Sequence, residues 1–134
     1  MKKRVKEKRS KGWIFWTPRI LSIIFILFLA LFSLDVFDGN PGFWGIVLGL
    51  FMHNIPSILL LIVLLISWRH EIVGGLVFIL AGLLYIAILL ITILTTIPHP
   101  GYMLFWSLLI AGPAFFIGIL FLIGWFRKRK KNKN

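Results

Sequence analysis

Four long apolar runs, separated by short polar breaks, dominate the chain. They cover 18–36, 43–68, 72–97 and 102–126, and the breaks between them are only a few residues long. The hydrocarbon core of a bilayer is about 30 Å thick, so a helix needs roughly 20 predominantly apolar residues to cross it. Each run meets that length or falls just short. Only helices and closed barrels satisfy their own backbone groups inside lipid. The pattern therefore predicts an all-α polytopic membrane protein, a four-helix transmembrane bundle over 18–126, with tails at 1–17 and 127–134.

Local signals set the expected ends of these spans. Thr17 before Pro18 reads as a helix start, since a threonine hydroxyl caps free N–H groups and a first-turn proline gives up an N–H that had no partner. Trp13 and Trp16 flank that point, as interfacial aromatics do. Asp38-Gly39-Asn40-Pro41-Gly42 and Pro98-His99-Pro100-Gly101 are turn-rich breaks. The second run admits two readings. It is either one long helix kinked at Pro56, or an interfacial segment over 43–52 followed by a shorter crossing capped by Asn54. Gly45, Gly49 and His53 recur every four residues along one face and favour the single helix. Pro113 is a second expected kink, in the fourth run.

Composition and charge then fix the setting. Hydrophobic residues make up 60% of the chain and charged ones 14%, against roughly 25% charged in soluble domains. A soluble fold of this length has no interior large enough for so much apolar surface. The net charge of +11 is concentrated outside the runs. Lys2, Lys3, Arg4, Lys6, Lys8, Arg9 and Lys11 precede the first run, and Arg127, Lys128, Arg129, Lys130, Lys131 and Lys133 follow the last. Arg69 lies in the second break, and the first and third breaks carry no Lys or Arg. Positive residues are retained in the cytoplasm during insertion, which predicts residence in the cell (inner) membrane with both termini cytoplasmic. The first run lacks a small-x-small cleavage pattern and is expected to stay as a span. The tails are expected to touch anionic lipid headgroups. They do not interleave aromatics with their charges as single-strand binders do, so nucleic acid is not an expected partner. Cysteine is absent, which removes disulfides and thiolate chemistry.

Spacing hints at an internal repeat. Pro56 precedes Trp68 by the interval at which Pro113 precedes Trp125, and Trp16-x-x-Arg19-Ile20 matches Trp68-x-x-Glu71-Ile72. One reading is two tandem helical hairpins related by an axis along the membrane normal. On that reading Arg19 and Glu71 occupy equivalent inner-leaflet positions with opposite charge and are expected to pair. Small residues mark expected packing seams at Gly45 and Gly49 in the second run and at Gly74, Gly75, Ala81 and Gly82 in the third.

Few residues offer chemistry. Asp35, Asp38, His53 and His99 all map to the outer half and form a candidate polar cluster, carboxylate and imidazole being suitable metal or proton ligands. Their spacing matches no ligand signature, and the plain alternative is that they cap helices or face water. Of the four, His53 is the one expected within a span, where an ionisable residue suggests function by default. Paired histidines at one depth for haem, a carboxylate midway along the first span and a nucleophile beside a base are all missing. Neither catalysis nor a cofactor or metal is expected.

The order Pro18-Arg19-Ile20-Leu21, Leu34-Asp35-Val36-Phe37, His53-x-x-Pro56 and Trp68-x-x-Glu71-x-x-Gly74-Gly75 resembles a family of small four-span prokaryotic membrane proteins of unassigned function. The resemblance covers the first three runs. It implies a helical bundle and inner-membrane residence and brings no activity. The functional expectation is an accessory or structural bundle that acts through helix–helix contacts, as a homo-oligomer or with a membrane partner. The alternative is an oligomeric minimal channel or transporter for a small ion or apolar solute.

Overall fold

A computed structural model describes residues 2–39, 42–96 and 101–132, with side chains described from residue 12 onward except at 96 and 103. It contains α1 (Lys2–Leu31), a 3₁₀ segment (Phe32–Phe37), α2 (Phe43–Ser67), α3 (Glu71–Thr96) and α4 (Gly101–Lys131). All four helices are long and apolar enough to cross a membrane, over Gly12–Phe37, Phe43–Ser67, Glu71–Thr95 and Leu104–Lys131.

The helices pack as a closed square in chain order, α1 on α2, α2 on α3, α3 on α4 and α4 back on α1. Among the described residues the diagonal pairs, α1 with α3 and α2 with α4, have no Cα atoms within 8 Å of each other. The start of α1, the α2–α3 turn at 68–70 and the end of α4 share one end of the bundle, here called the basic end. Phe25, Ile26, Leu60, Leu64, Phe78, Ala114, Ile117 and Phe121 fill the centre. The rings of Phe78 and Phe121 stack there with centroids 6.1 Å apart.

Two expected helix ends need correction. The first helix does not start at Thr17-Pro18 but runs through them from Lys2. Lysine and arginine are good helix formers, so the basic tail extends the helix. Pro18 removes the donor that would have served the Ile14 carbonyl. Thr17 does not cap; its Oγ1 donates to the Trp13 carbonyl at 2.6 Å. The fourth helix likewise continues past 126 to Lys131, with Lys128, Arg129, Lys130 and Lys131 in its last turn. Cations there complement the negative end of the helix dipole. The first span narrows at its far end into the 3₁₀ segment, where Ser33 donates to the Ala30 carbonyl at 2.7 Å. The expected end of the third span at 97 lies outside the described residues.

The second run is one helix, Phe43–Ser67, with Pro56 inside it. Asn54 does not cap a shorter crossing, since its Nδ2 donates to the Leu50 carbonyl at 2.9 Å. Pro113 lies inside α4 in the same way. Of the expected seams, Gly75 makes a close backbone approach to another helix, opposite Gly118 of α4, which was not among the expected seam residues. A Cβ on Gly118 would stand 3.0 Å from the Gly75 carbonyl oxygen and 2.7 Å from Ile79, and a Cβ on Gly75 would stand 3.2 Å from the Gly118 carbonyl oxygen. Gly82 faces the Phe115 ring, and Gly49 makes room for Val36 of the 3₁₀ segment. Gly45, by contrast, is exposed.

Candidate functional site: a buried charge cluster at the basic end

Where α2 turns into α3, two oppositely charged side chains enter the bundle. Arg19 of α1 is 0% exposed and Glu71, the first residue of α3, is 5% exposed. Arg19 Nη2 lies 3.2 Å from Glu71 Oε1, so the pair singled out from the sequence meets across the diagonal of the square. A second cation, Lys128 near the end of α4, donates to the same Oε1 at 2.8 Å from a position that is 61% exposed.

Backbone placement makes this corner hospitable to both signs. Ser67 ends α2, where helix carbonyls lack intrahelical partners and the dipole is negative. Arg19 Nη2 reaches the Ser67 carbonyl at a long 3.4 Å, bringing positive charge to that end. Glu71 opens α3, where the dipole is positive and favours a carboxylate. Arg19 Nη1 also donates to the Phe15 carbonyl one turn back in α1. Its guanidinium carbon sits 3.5 Å over the Phe15 ring, with the Trp68 and Phe121 rings at 5.9 and 5.8 Å. Such stacking suits arginine, which is more weakly hydrated than lysine.

Small residues provide the space. A Cβ on Gly124 of α4 would stand 3.2 Å from Glu71 Oε2, and one on Gly74 would collide with Ser67 Oγ. The neighbouring hydroxyls are satisfied locally, Ser22 donating to the Pro18 carbonyl at 2.6 Å and Ser67 to the Val63 carbonyl. Arg19 Nε and Glu71 Oε2 are buried without a hydrogen-bond partner among the described residues.

The far-side candidates are not assembled in this way. Asp35, Asp38 and His53 are exposed. The Nδ1–H of His53 donates to the Gly49 carbonyl of its own helix at 2.9 Å. His99 lies outside the described residues. Among the described residues no three His, Asp or Glu side chains are grouped to hold a metal ion.

Three members of the charge cluster escaped the sequence reading: Phe15, Lys128 and Gly124 as the carboxylate's neighbour. Lys128 counted there only as part of a topogenic tail. The usable signal was periodicity, because Phe121, Gly124 and Lys128 recur at the i, i+3, i+7 spacing of one helical face.

The fold and this site define an all-α bundle of four membrane-length helices, closed at one end by a buried ion pair. Residues 5–133 match the model of a domain of unknown function, DUF7670, and the chain belongs to that family. No curated protein and no solved structure matches the chain.

Proposed function

We propose that this chain is an accessory bundle of the cell membrane that acts through helix–helix contacts at its lipid-facing surface, neither catalysing a reaction nor conducting a solute. The observation that carries this reading is the position of its buried polar groups. Among the described residues, four of the six buried polar side chains, Arg19, Glu71, Ser22 and Ser67, are gathered at the basic end, and the other two, Ser33 and Ser57, are single hydroxyls further along the bundle. Above them the axis is filled by Leu64, Phe78, Ile117 and Phe121, each 2% exposed or less. A single copy thus has no continuous polar lining for an ion. On this reading the basic tails hold both termini in the cytoplasm and contact anionic headgroups, and the partner is a membrane protein or a second copy.

Affinity capture of a tagged copy from its native membrane in mild detergent, with mass determination, tests the reading. A stoichiometric membrane-protein partner supports it. A homo-oligomer that carries ion or solute flux in proteoliposomes, with loss of flux in His53→Ala, replaces it by the channel or transporter reading. The absence of cysteine allows the orientation to be tested without background. Asp38→Cys is expected to react with an impermeant thiol reagent from outside and His70→Cys only after permeabilisation.

A further inference from the structure

Within the charge cluster two polar atoms are left over, and they are complementary. Arg19 Nε is a buried donor and Glu71 Oε2 a buried acceptor, and among the described residues neither has a hydrogen-bond partner. The other carboxylate oxygen is heavily used, with Arg19 Nη2 at 3.2 Å and Lys128 Nζ at 2.8 Å from Oε1. Nε is bonded to the guanidinium carbon that carries Nη2, and Oε2 to the carboxyl carbon that carries Oε1. The two unpaired atoms therefore flank a single contact. A buried polar group without a partner bears its full desolvation cost, which is larger for charged groups.

The surroundings supply room and a third group. Gly124 of α4 faces Oε2, and the place a Cβ would take is 3.2 Å from that oxygen. The next nearest atoms to that place are the Glu71 carboxyl carbon at 3.7 Å and Ile14 Cγ2 at 3.9 Å. Ile14 is the residue whose carbonyl loses its helical donor to Pro18.

Charge and size narrow the occupant. Arg19 and Lys128 already bring two positive charges to one carboxylate, so a further cation is repelled. An anion would face Oε2. A donor beside an acceptor calls for a neutral molecule that both accepts and donates, and the space of one missing side chain suits nothing much larger than water. Buried waters typically make about three hydrogen bonds to otherwise unsatisfied groups. Lys128, 61% exposed, connects the cluster to the solvent of the basic end.

We infer that the Arg19–Glu71 pair holds one structural water beside Gly124, which accepts from the Arg19 Nε–H and donates to Glu71 Oε2. The Ile14 carbonyl is the acceptor nearest in the chain for its second proton. The water lets both side chains stay charged inside an apolar bundle, and it gives Gly124 a hydration role in addition to a packing one. The inference goes beyond the accessory reading, because the water is bound with or without a protein partner.

The test is a crystal structure of the full chain at a resolution that shows ordered water, joined to thermal unfolding of two variants in mixed micelles. A density peak within hydrogen-bond distance of both Arg19 Nε and Glu71 Oε2 is expected, and none at that place in Gly124→Ala. Gly124→Ala should melt below the unaltered chain. Gly124→Ser should melt above Gly124→Ala, because its hydroxyl takes over the water's bond to Oε2. Crowding alone gives the reverse order, serine being the larger residue and the poorer helix former. Three results would each overturn the inference: no peak between the two atoms in the unaltered chain, a direct bond from Nε to Oε2, or Gly124→Ser melting below Gly124→Ala. Should neither variant fold, the structure of the unaltered chain decides.

Discussion

The two ends of the α2–α3 pair are built on opposite principles. At the basic end the helices are joined by a three-residue turn and drawn together by Arg19, Glu71, Ser67 and the space left at Gly74 and Gly124. Further along, residues 55–63 of α2 and 77–88 of α3 wall a groove whose lining side chains are all apolar except Tyr85. The contrast shows where specificity resides in a bundle whose outer surface is uniformly apolar. Lipid is as apolar as leucine, so burial of leucine gives little preference for one partner over another. Close backbone approach and buried polar pairs decide the register. The basic end has both, and the groove region has neither.

Substitutions should divide along the same line. The largest loss is expected for Glu71→Leu, which leaves Arg19 buried without its carboxylate. Breaking a buried pair from one side costs about 3–5 kcal/mol, to be read by unfolding in mixed micelles. A drop below about 1 kcal/mol would mean that Arg19 finds water. Gly118→Ala should come next. Its new Cβ meets the Gly75 carbonyl, which cannot turn aside, and overpacking of this kind costs about 1–3 kcal/mol. Gly12→Ala is the matched control, with nothing within 4 Å of the added atom; it should leave the transition midpoint unchanged or raise it slightly. Ser57 is 4% exposed and its Oγ has no partner among the described residues. Ser57→Ala should therefore stabilise by up to about 1 kcal/mol, and a loss would reveal an acceptor. The smallest effect is expected for Lys128→Met. Lys128 is largely exposed, so its bond to Glu71 contributes about 0–1 kcal/mol and should fade with added salt.

The basic end was also the more legible half of the sequence. Hydropathy alone implies four helices, because nothing but a bilayer accommodates runs of that length. The Arg19–Glu71 pairing followed from matching Trp-x-x-charge-Ile spacings, and burial follows the same register. Arg19, Ser22 and Ile26 are buried, as are Glu71, Gly74 and Phe78; Ser57, Leu60, Leu64 and Ser67 correspond in the same way to Ala114, Ile117, Phe121 and Gly124. In a square bundle a two-fold axis along the helices exchanges diagonal partners, so equivalent positions meet at the centre.

Other features were hidden for physical reasons. Thr17-Pro18 carries every local mark of a helix start, yet lysine and arginine upstream extend the helix through it, and hydropathy cannot register a helix that continues into water. The groove was invisible because its lining residues are the same leucines and valines that face lipid elsewhere. Only the placement of the helices in space separates wall from surface. The outer polar residues show what depth along the chain leaves open. Asp35, Asp38 and His53 share a depth along the chain, but the described structure leaves all three exposed.

The central claim is that a buried ion pair across the diagonal closes the basic end. A double-mutant cycle with Arg19→Met and Glu71→Leu, measured by reversible unfolding in mixed micelles, tests it most directly. The account predicts a coupling of at least about 2 kcal/mol, with the double variant more stable than Glu71→Leu alone, because replacing both buried charges by apolar groups removes the unpaired one. Losses that simply add would contradict it.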